Sequence, residues 1–130
     1  FPSAPAFGAA LGAALEGRRA VVVASSDLTH YGESYGFAPA AGDPARALSF
    51  VRENDERMLA LVRGLRDGEI LAEARAHQNA CGSGAIAAAV AAARAMGARA
   101  GIVIEYRTSH DSLPEHPASR IVGYGGAVMA

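Results

Sequence analysis

Two short stretches of this sequence carry side chains that can do chemistry. The first, residues 25–32 (SSDLTHYG), follows an apolar run and contains Asp27 and His30. Histidine titrates near neutral pH and can act as an acid or a base, and a carboxylate three residues away can orient its ring. The alternative is an Asx-type turn with a capping histidine, which has no chemical role. The stretch by itself leaves both interpretations open.

The second stretch, residues 80–86 (ACGSGAI), contains Cys81, the single cysteine of the chain. An alanine-rich run follows it and predicts a helix, so Cys81 lies at or just before a helix N-terminus. The dipole and the free backbone N–H groups at that end favour the thiolate, which is the form that binds metals or attacks carbon. As a nucleophile, Cys81 would use His30 as its base and the N–H groups of Gly82 and Ser83 as an oxyanion hole.

Further polar residues are weaker candidates. Asp55 interrupts the apolar stripe of a predicted helix, which indicates a carboxylate paired with a neighbouring arginine or placed at the edge of the stripe, or else one that supports the site. His110 and Asp111 lie in a polar loop between two predicted strands. They have the chemistry of metal ligands, but such a pair is also typical of a solvated loop.

The elements that must position these residues are predicted as alternating strands and helices. Three successive valines without polar alternation indicate a strand that is buried on both faces of a parallel sheet. Sites in such sheets form beyond the carboxyl ends of the strands. The sequence therefore predicts an α/β fold with strands near residues 19–25, 100–107 and 121–129 in one sheet. The flanking helices are expected near residues 44–66 and 84–97, with shorter helices at 6–16 and 69–76.

Composition limits the classes of function. The chain has 130 residues, of which 51% are hydrophobic and 19% charged, as in an ordinary globular domain. A net charge of −1 and a pI near 6.5 provide no basic field, so neither nucleic acid nor a membrane surface is an expected partner. All 12 basic residues are arginine, which excludes a Schiff-base lysine. One cysteine points to a reducing, cytoplasmic setting, and a start at Phe1 suggests a fragment.

The two motifs together resemble those of a known family. His30 and Cys81 are 51 positions apart, and residues 106–109 (YRTS) and 121–126 (IVGYGG) follow them. In this order and spacing the sequence resembles the Memo family, which is similar in fold to the LigB-type class III extradiol dioxygenases, non-haem Fe(II) enzymes that open catechol rings. The resemblance begins near Phe7 and corresponds to the C-terminal half of a family member. It implies that residues 1–130 are a single segment of a LigB-like α/β domain.

The resemblance also implies roles for individual residues. Cys81 corresponds to the metal-binding cysteine of the family, where the dioxygenases carry a glutamate. His30 corresponds to the pocket histidine that acts as acid/base, and Asp27 to the aspartate of the same motif. Ser26, Tyr31 and Ser109 are expected to bind substrate. His110 is a departure, because bacterial relatives commonly have glycine there.

The implied cofactor is a divalent metal. The other two ligands of the family are histidines of its N-terminal half, and no residue here matches them, so the site is expected to be incomplete in this segment. Two histidines and one anionic ligand suit Fe(II), while a thiolate shifts the preference towards copper or zinc. Tight metal binding by this segment alone would direct attention to His110 and His116 as ligands.

Three functions follow from these expectations. The first is a metal-dependent, dioxygenase-like oxidoreductase acting on a small oxygenated or aromatic molecule. The second is a metal-free enzyme, a hydrolase or transferase with a Cys–His pair. The third is a non-catalytic module that binds a peptide or a protein in the same pocket. The resemblance further implies partners in a radical-SAM modification pathway.

Overall fold

The computed structural model describes residues 3–115 and 117–130. These residues form a small sheet flanked by helices, which confirms the predicted α/β class. The elements, in chain order, are α1 (Ala4–Ala14), β1 (His30–Gly32), α2 (Pro44–Arg63), α3 (Asp67–His77), α4 (Ser83–Ala95), β2 (Gly101–Thr108), α5 (Ser109–Ser112) and β3 (Arg120–Met129). The two predicted flanking helices correspond to α2 and α4. Among the described residues, no helix combines the length and the apolar character needed to cross a bilayer.

The sheet is small and antiparallel, so the prediction of a parallel sheet is wrong for these elements. Its strand order is β1-β3-β2, and β3 pairs in the antiparallel sense with both neighbours. Two of the three predicted strands are confirmed as β2 and β3. The connection between them contains only the one-turn helix α5, and a parallel pair needs a crossover of about a dozen residues or more, usually a longer helix. The chain therefore reverses and pairs β2 directly with β3.

The predicted strand at residues 19–25 is the main correction. Residues 20–24, called the valine segment here, are not assigned to a strand, and the first strand begins only at His30. Val21 and Val23 are 86% and 83% exposed. Full burial of a valine side chain contributes about 1.5–3 kcal/mol to stability, and neither of these two valines gains that contribution here. Within the described residues no strand lies beside the segment to pair with it, so its apolar pattern predicts an environment that these residues do not provide.

Helix packing follows from small residues. The close face of α1 consists of Gly8 and Gly12, and it lies against α4. A Cβ atom added to Gly8 would lie 2.0 Å from the carbonyl oxygen of Ala88. The two helix backbones can approach so closely only because glycine occupies that position.

The core is divided into two apolar clusters. The larger joins α2, α3 and α4 and includes Met58, Ile70 and Val90. The smaller surrounds Tyr31 and includes Val51 and Ile121. A cleft of about 610 Å³ lies between the valine segment, α2, α4 and β3. The two motif stretches lie beside this cleft, and α2 runs past both.

Candidate functional site

The first tip, residues 26–30, connects the valine segment to the sheet. The Leu28 N–H donates to the Gly123 carbonyl over 2.9 Å, and the Gly123 N–H donates to the Thr29 carbonyl over 3.0 Å. His30 then begins β1 opposite Val122. Leu28 and Thr29 are buried, whereas the side chains of Asp27 and His30 are 46% and 31% exposed. The tip is therefore anchored through its middle and presents its ionisable groups to solvent.

The second tip, residues 79–82, connects α3 to α4. Helix α3 ends at His77, and Gln78 takes the left-handed conformation with φ 51° that reverses the chain. Cys81 is exposed and lies two residues before α4, as predicted. Its backbone N–H donates to the Asp27 carbonyl over 3.2 Å. The sequence thus places the cysteine beside a helix N-terminus and directly against the first tip.

Four side chains of the two tips, Ser26, Asp27, His30 and Cys81, form what we call the tip cluster. The Asp27 N–H donates to the Cys81 Sγ over 3.3 Å, and the Ser26 Oγ lies 3.8 Å from the same sulfur. On its other side, the Asp27 carboxylate Oδ2 lies 3.4 Å from the His30 Nε2. Asp27 therefore contacts both the cysteine, through its backbone, and the histidine, through its side chain.

Ser26 has a positioning role that the sequence did not indicate. Its Oγ donates to the Asp27 carbonyl over 2.8 Å and accepts the Gly82 N–H over 2.9 Å. The expected oxyanion hole at Gly82 and Ser83 is therefore wrong in part, because the Gly82 N–H is already occupied. Of the tip cluster, only Ser26 lines the large cleft. The predicted substrate-binding role of Ser26 remains a prediction.

Tyr31 and Ser109, the other two residues expected to bind substrate, lie elsewhere. Tyr31 is 2% exposed and packs in the smaller apolar cluster, with its ring centroid 6.1 Å from that of Phe50. The Ser109 Oγ accepts the Val122 N–H over 3.0 Å and so supports β3 at the residue opposite His30. In this conformation Tyr31 is a core residue and Ser109 supports the sheet, while their contact with a substrate remains a prediction.

Of the two loop residues, Asp111 has a structural role, and His110 lies next to it in α5. Asp111 forms a capping box with Thr108 at the start of α5 and accepts a hydrogen bond from the Arg52 guanidinium over 2.6 Å. The Thr108 backbone N–H, which donates to the Asp111 carboxylate, is the main cause that lowers the pKa of Asp111. His110 is partly buried in the same helix. His116, the other histidine considered as a ligand, lies outside the described residues.

Asp55 supports the first tip, and the expected arginine partner or stripe-edge position is wrong. It is completely buried, and its Oδ1 accepts the Thr29 N–H over 2.8 Å. Its Oδ2 accepts the Tyr106 hydroxyl over 2.7 Å. Burial raises the pKa of Asp55, and burial followed by the hydrogen bond to Asp55 raises the pKa of Tyr106. The signal in the sequence is that Asn54 and Asp55, within the polar run 52–57, fall on the face of α2 that is otherwise apolar.

The ligand chemistry of the tip cluster is that of a partial metal site. A thiol, a carboxylate and an imidazole are all suitable donors. Among residues 3–115 and 117–130, however, no group of three such side chains is arranged to hold an ion. The described residues alone therefore do not fit a complete metal site.

Comparison with known proteins gives consistent matches over nearly the whole chain. The family described as Memo-like protein matches residues 2–128. A MEMO1 family protein of Pyrococcus horikoshii is 31% identical over 114 residues, which are 87% of this chain and 38% of that protein. Its counterpart in Pyrococcus abyssi is 32% identical over the same shares, and one from Methanopyrus kandleri is 32% identical over 86% of this chain and 34% of its own length. The chain thus spans well under half the length of these curated relatives.

Proposed function

Because this chain belongs to the Memo-like protein family, we propose that it contributes one part of a metal-dependent, dioxygenase-like oxidoreductase site. In this proposal Cys81 is the anionic metal ligand and His30 is the acid/base. The remaining ligands come from the portion of a family-length protein that lies outside the match. The relationship to LigB-type dioxygenases belongs to the same proposal.

The observation that carries the proposal is the double contact of Asp27. Its N–H points at the Cys81 sulfur, and its carboxylate lies beside the His30 ring. Residues 54 positions apart in sequence are thereby brought into one cluster. The Asp27 N–H and the N-terminus of α4, a helix of 13 residues, place a hydrogen-bond donor and the positive end of a helix dipole near the sulfur. A thiolate is the form in which cysteine binds a metal.

His30 is suited to move a proton because a carboxylate faces one of its ring nitrogens. Asp27 near Nε2 favours the proton on that nitrogen, which leaves Nδ1 to accept one. Fe(II) is the proposed metal, with copper or zinc as alternatives, and it would supply the activation of oxygen or substrate. Because the described residues do not complete a ligand set, the role of this chain is limited to one ligand and one acid/base.

Substrate, partners and location are further parts of the proposal. The partly exposed imidazole and thiol suit a small oxygenated or aromatic molecule, or a peptide side chain, that reaches the site from solvent. The net charge of −1 offers no basic field for nucleic acid or for an anionic membrane surface. Work alongside radical-SAM proteins follows from the family resemblance, and a cytoplasmic location follows from the single cysteine.

The second candidate is a metal-free Cys–His nucleophile, and the same hydrogen bond to sulfur favours it. An activated thiolate beside a histidine attacks electrophilic carbon. Its expected oxyanion hole is weakened, because the Gly82 N–H donates to Ser26. The geometry therefore supports the ligand role better than the nucleophile role.

Alkylation of Cys81 separates the two candidates, since the chain contains no other cysteine. In this chain alone, we expect iodoacetamide to react at a rate that a chelator does not change, and added Fe(II) to bind weakly. In the ligand role, His30→Ala should change the alkylation rate less than about twofold, because the histidine is not the base for the sulfur. In the nucleophile role the same variant should slow alkylation about tenfold or more at neutral pH.

Family-length protein provides the positive test. There, alkylation should be slow until a chelator removes the metal, and Cys81→Ser should lower the bound metal content. Ser83→Ala, two residues away, is the matched control and should retain the metal. Full metal content in the Cys81→Ser protein would exclude the ligand role. Tight stoichiometric metal in the present chain would contradict the claim that the site needs the uncovered portion.

A further inference from the structure

We propose that Asp55 is a positioning residue that, together with Asn54 and Asn79, fixes the tip bearing His30 against the tip bearing Cys81. The inference concerns the geometry between the two tips. It rests on the proposed function only for the use that a reaction makes of that geometry.

Asp55 holds the first tip through its backbone. Its Oδ1 accepts the N–H of Thr29, the residue directly before His30. Its Oδ2 accepts the Tyr106 hydroxyl, which anchors the carboxylate to β2. A buried hydrogen bond to a carboxylate is stronger than one between neutral groups, and leaving a buried N–H without a partner is costly. Asp55 therefore determines where the backbone next to His30 lies.

Asn54 and Asn79 extend this set of hydrogen bonds to the second tip. The Asn54 Nδ2 donates to the Thr29 Oγ1 over 3.0 Å and to the His77 carbonyl over 2.9 Å. The Asn79 Nδ2 in turn donates to the Asn54 carbonyl over 2.8 Å. Asn54, Asp55 and Asn79 are each at most 5% exposed. Two adjacent residues of α2 thus hold Thr29 on one side and the chain leading to Cys81 on the other.

Gly123 closes the space around the carboxylate. A Cβ atom at this position would lie 1.8 Å from the Asp55 Oδ2, so the β3 backbone passes directly against the acid. The same glycine exchanges backbone hydrogen bonds with Leu28 and Thr29. Asp55 is therefore enclosed between the tip and the strand, and it cannot move without moving one of them.

This arrangement differs from polar residues that are merely tolerated in a core. Burying an acid and two amides is unfavourable unless each finds partners, and an apolar replacement of similar volume is often neutral or stabilising. Here Asn54 and Asp55 share a partner on the first tip, Thr29, and Asn79 of the second tip donates to the backbone of α2. The arrangement is expected to contribute local geometry at the site more than global stability.

Amide hydrogen exchange in the metal-free chain tests the proposal. Asp55→Ala should accelerate exchange at the Thr29 and Asp27 amides about tenfold or more relative to the global change, because the Thr29 N–H loses a carboxylate acceptor. Asp55→Asn should restore most of the protection, since its amide oxygen can still accept from Thr29. Leu61→Ala, a buried substitution on the same helix, is the control for lost stability and should raise exchange globally without singling out the tip.

A second pair of variants tests the enclosure from the opposite side. Gly123→Ala should displace the carboxylate and reproduce the local exchange of Asp55→Ala. Gly126→Ala, in the same strand but with open space around it, should not. In the double variant Gly123→Ala/Asp55→Ala the two effects on exchange should not add. The methyl group of Ala at position 123 then enters the space that the Asp55 carboxylate has vacated.

The proposal is overturned if Asp55→Ala accelerates exchange at the tip amides no more than Leu61→Ala does. It is also overturned if Asp55→Asn fails to restore the protection of those amides. Additive effects of Gly123→Ala and Asp55→Ala would overturn the enclosure. None of these readouts depends on metal or turnover, so the proposed function can fail while the positioning role stands, and the reverse also holds.

Discussion

Asp27 contacts the second tip with its backbone and His30 with its side chain. The N–H and the carbonyl both bond to Cys81, whereas the carboxylate lies beside the imidazole. Replacing the Asp27 side chain, other than by proline, therefore leaves the two backbone contacts to the cysteine in place and removes the carboxylate beside the histidine. Such a substitution would thus alter the acid/base role proposed for His30 without removing the ligand proposed at Cys81.

Two acids, Asp55 and Glu73, should give the stability of this protein opposite dependences on pH. Burial raises the pKa of Asp55 above 3.8, so the folded state holds its proton more tightly than the unfolded state does. Its contribution to stability is full at low pH and falls as the pH rises from 3.8 through the raised pKa. The Arg57 hydrogen bond lowers the pKa of Glu73 below 4.5, so its contribution is present above 4.5 and is lost as the pH falls.

Urea unfolding at a series of pH values from about 3 to about 8 would measure both effects on stability. The stability of the wild type relative to Asp55→Asn should fall as the pH rises, because that variant lacks the acid. The stability of the wild type relative to Glu73→Gln should rise over the acidic part of the range. Tyr106 and His30 are the titratable groups that interact with Asp55. Trends of the same sign for the two variants would contradict the assignment.

At the level of single residues, the sequence indicates which side chains can react but not which partners they have. Asp27, His30 and Cys81 were chosen from type and spacing, and the structure brings them together. For Asp55 the pattern favours an arginine partner or a position at the edge of the apolar stripe over a supporting role at the site. Its actual partners, Thr29 and Tyr106, are 26 and 51 positions away. Contacts over such distances depend on the fold and cannot be inferred from local pattern.

At the level of elements, helices were predicted better than the sheet. Pro44 after Asp43 marks the start of α2, and the Asp43 side chain caps the N–H groups of Ala45 and Arg46 as that pattern predicts. Capping and helical periodicity are local properties. Strand pairing is not, and the direction of the β2–β3 pair depends on the length of their connection. The first strand was misplaced because burial on two faces requires neighbours that the pattern does not identify.

The contact between α1 and α4 gives a prediction at this scale. Gly8→Ala improves helix propensity by up to about 1 kcal/mol. The added methyl would nevertheless meet the backbone of Ala88 at 2.0 Å. Overpacking of this kind costs about 1–3 kcal/mol, so we expect net destabilisation.

The matched control is Gly68→Ala in α3, which has no neighbouring atom within 4 Å of the new methyl. It should be neutral or stabilising by up to about 1 kcal/mol. Thermal or urea unfolding of both variants compares the two substitutions directly. A stabilised Gly8→Ala protein would show that α1 does not lie as close to α4 as described.

At the level of the whole molecule, the chain has a substantial core and an open side. Two apolar clusters form the core from faces of α2, α3 and α4 and from residues of β1 and β3, while the valine segment and the cleft beside it remain exposed. The sequence predicted the apolar character of this side correctly. It could not predict the exposure, because periodicity describes the surroundings that a segment suits and not the polypeptide that supplies them.

The exposed valine segment also makes the chain susceptible to proteolytic cleavage at a defined place. Proteases act most readily on exposed backbone that is free of hydrogen bonds, and Arg18 and Arg19 are exposed directly before the segment. Limited trypsin digestion should therefore cut first after one of these arginines, and mass spectrometry would identify the fragments. Because Gly8 and Gly12 seat α1 closely on α4, the cleaved helix should remain bound in a native gel. An initial cut within α2 would contradict this order.

A polypeptide that covered the valine segment would slow the first cut, so the rate of cleavage would report when the open side becomes occupied.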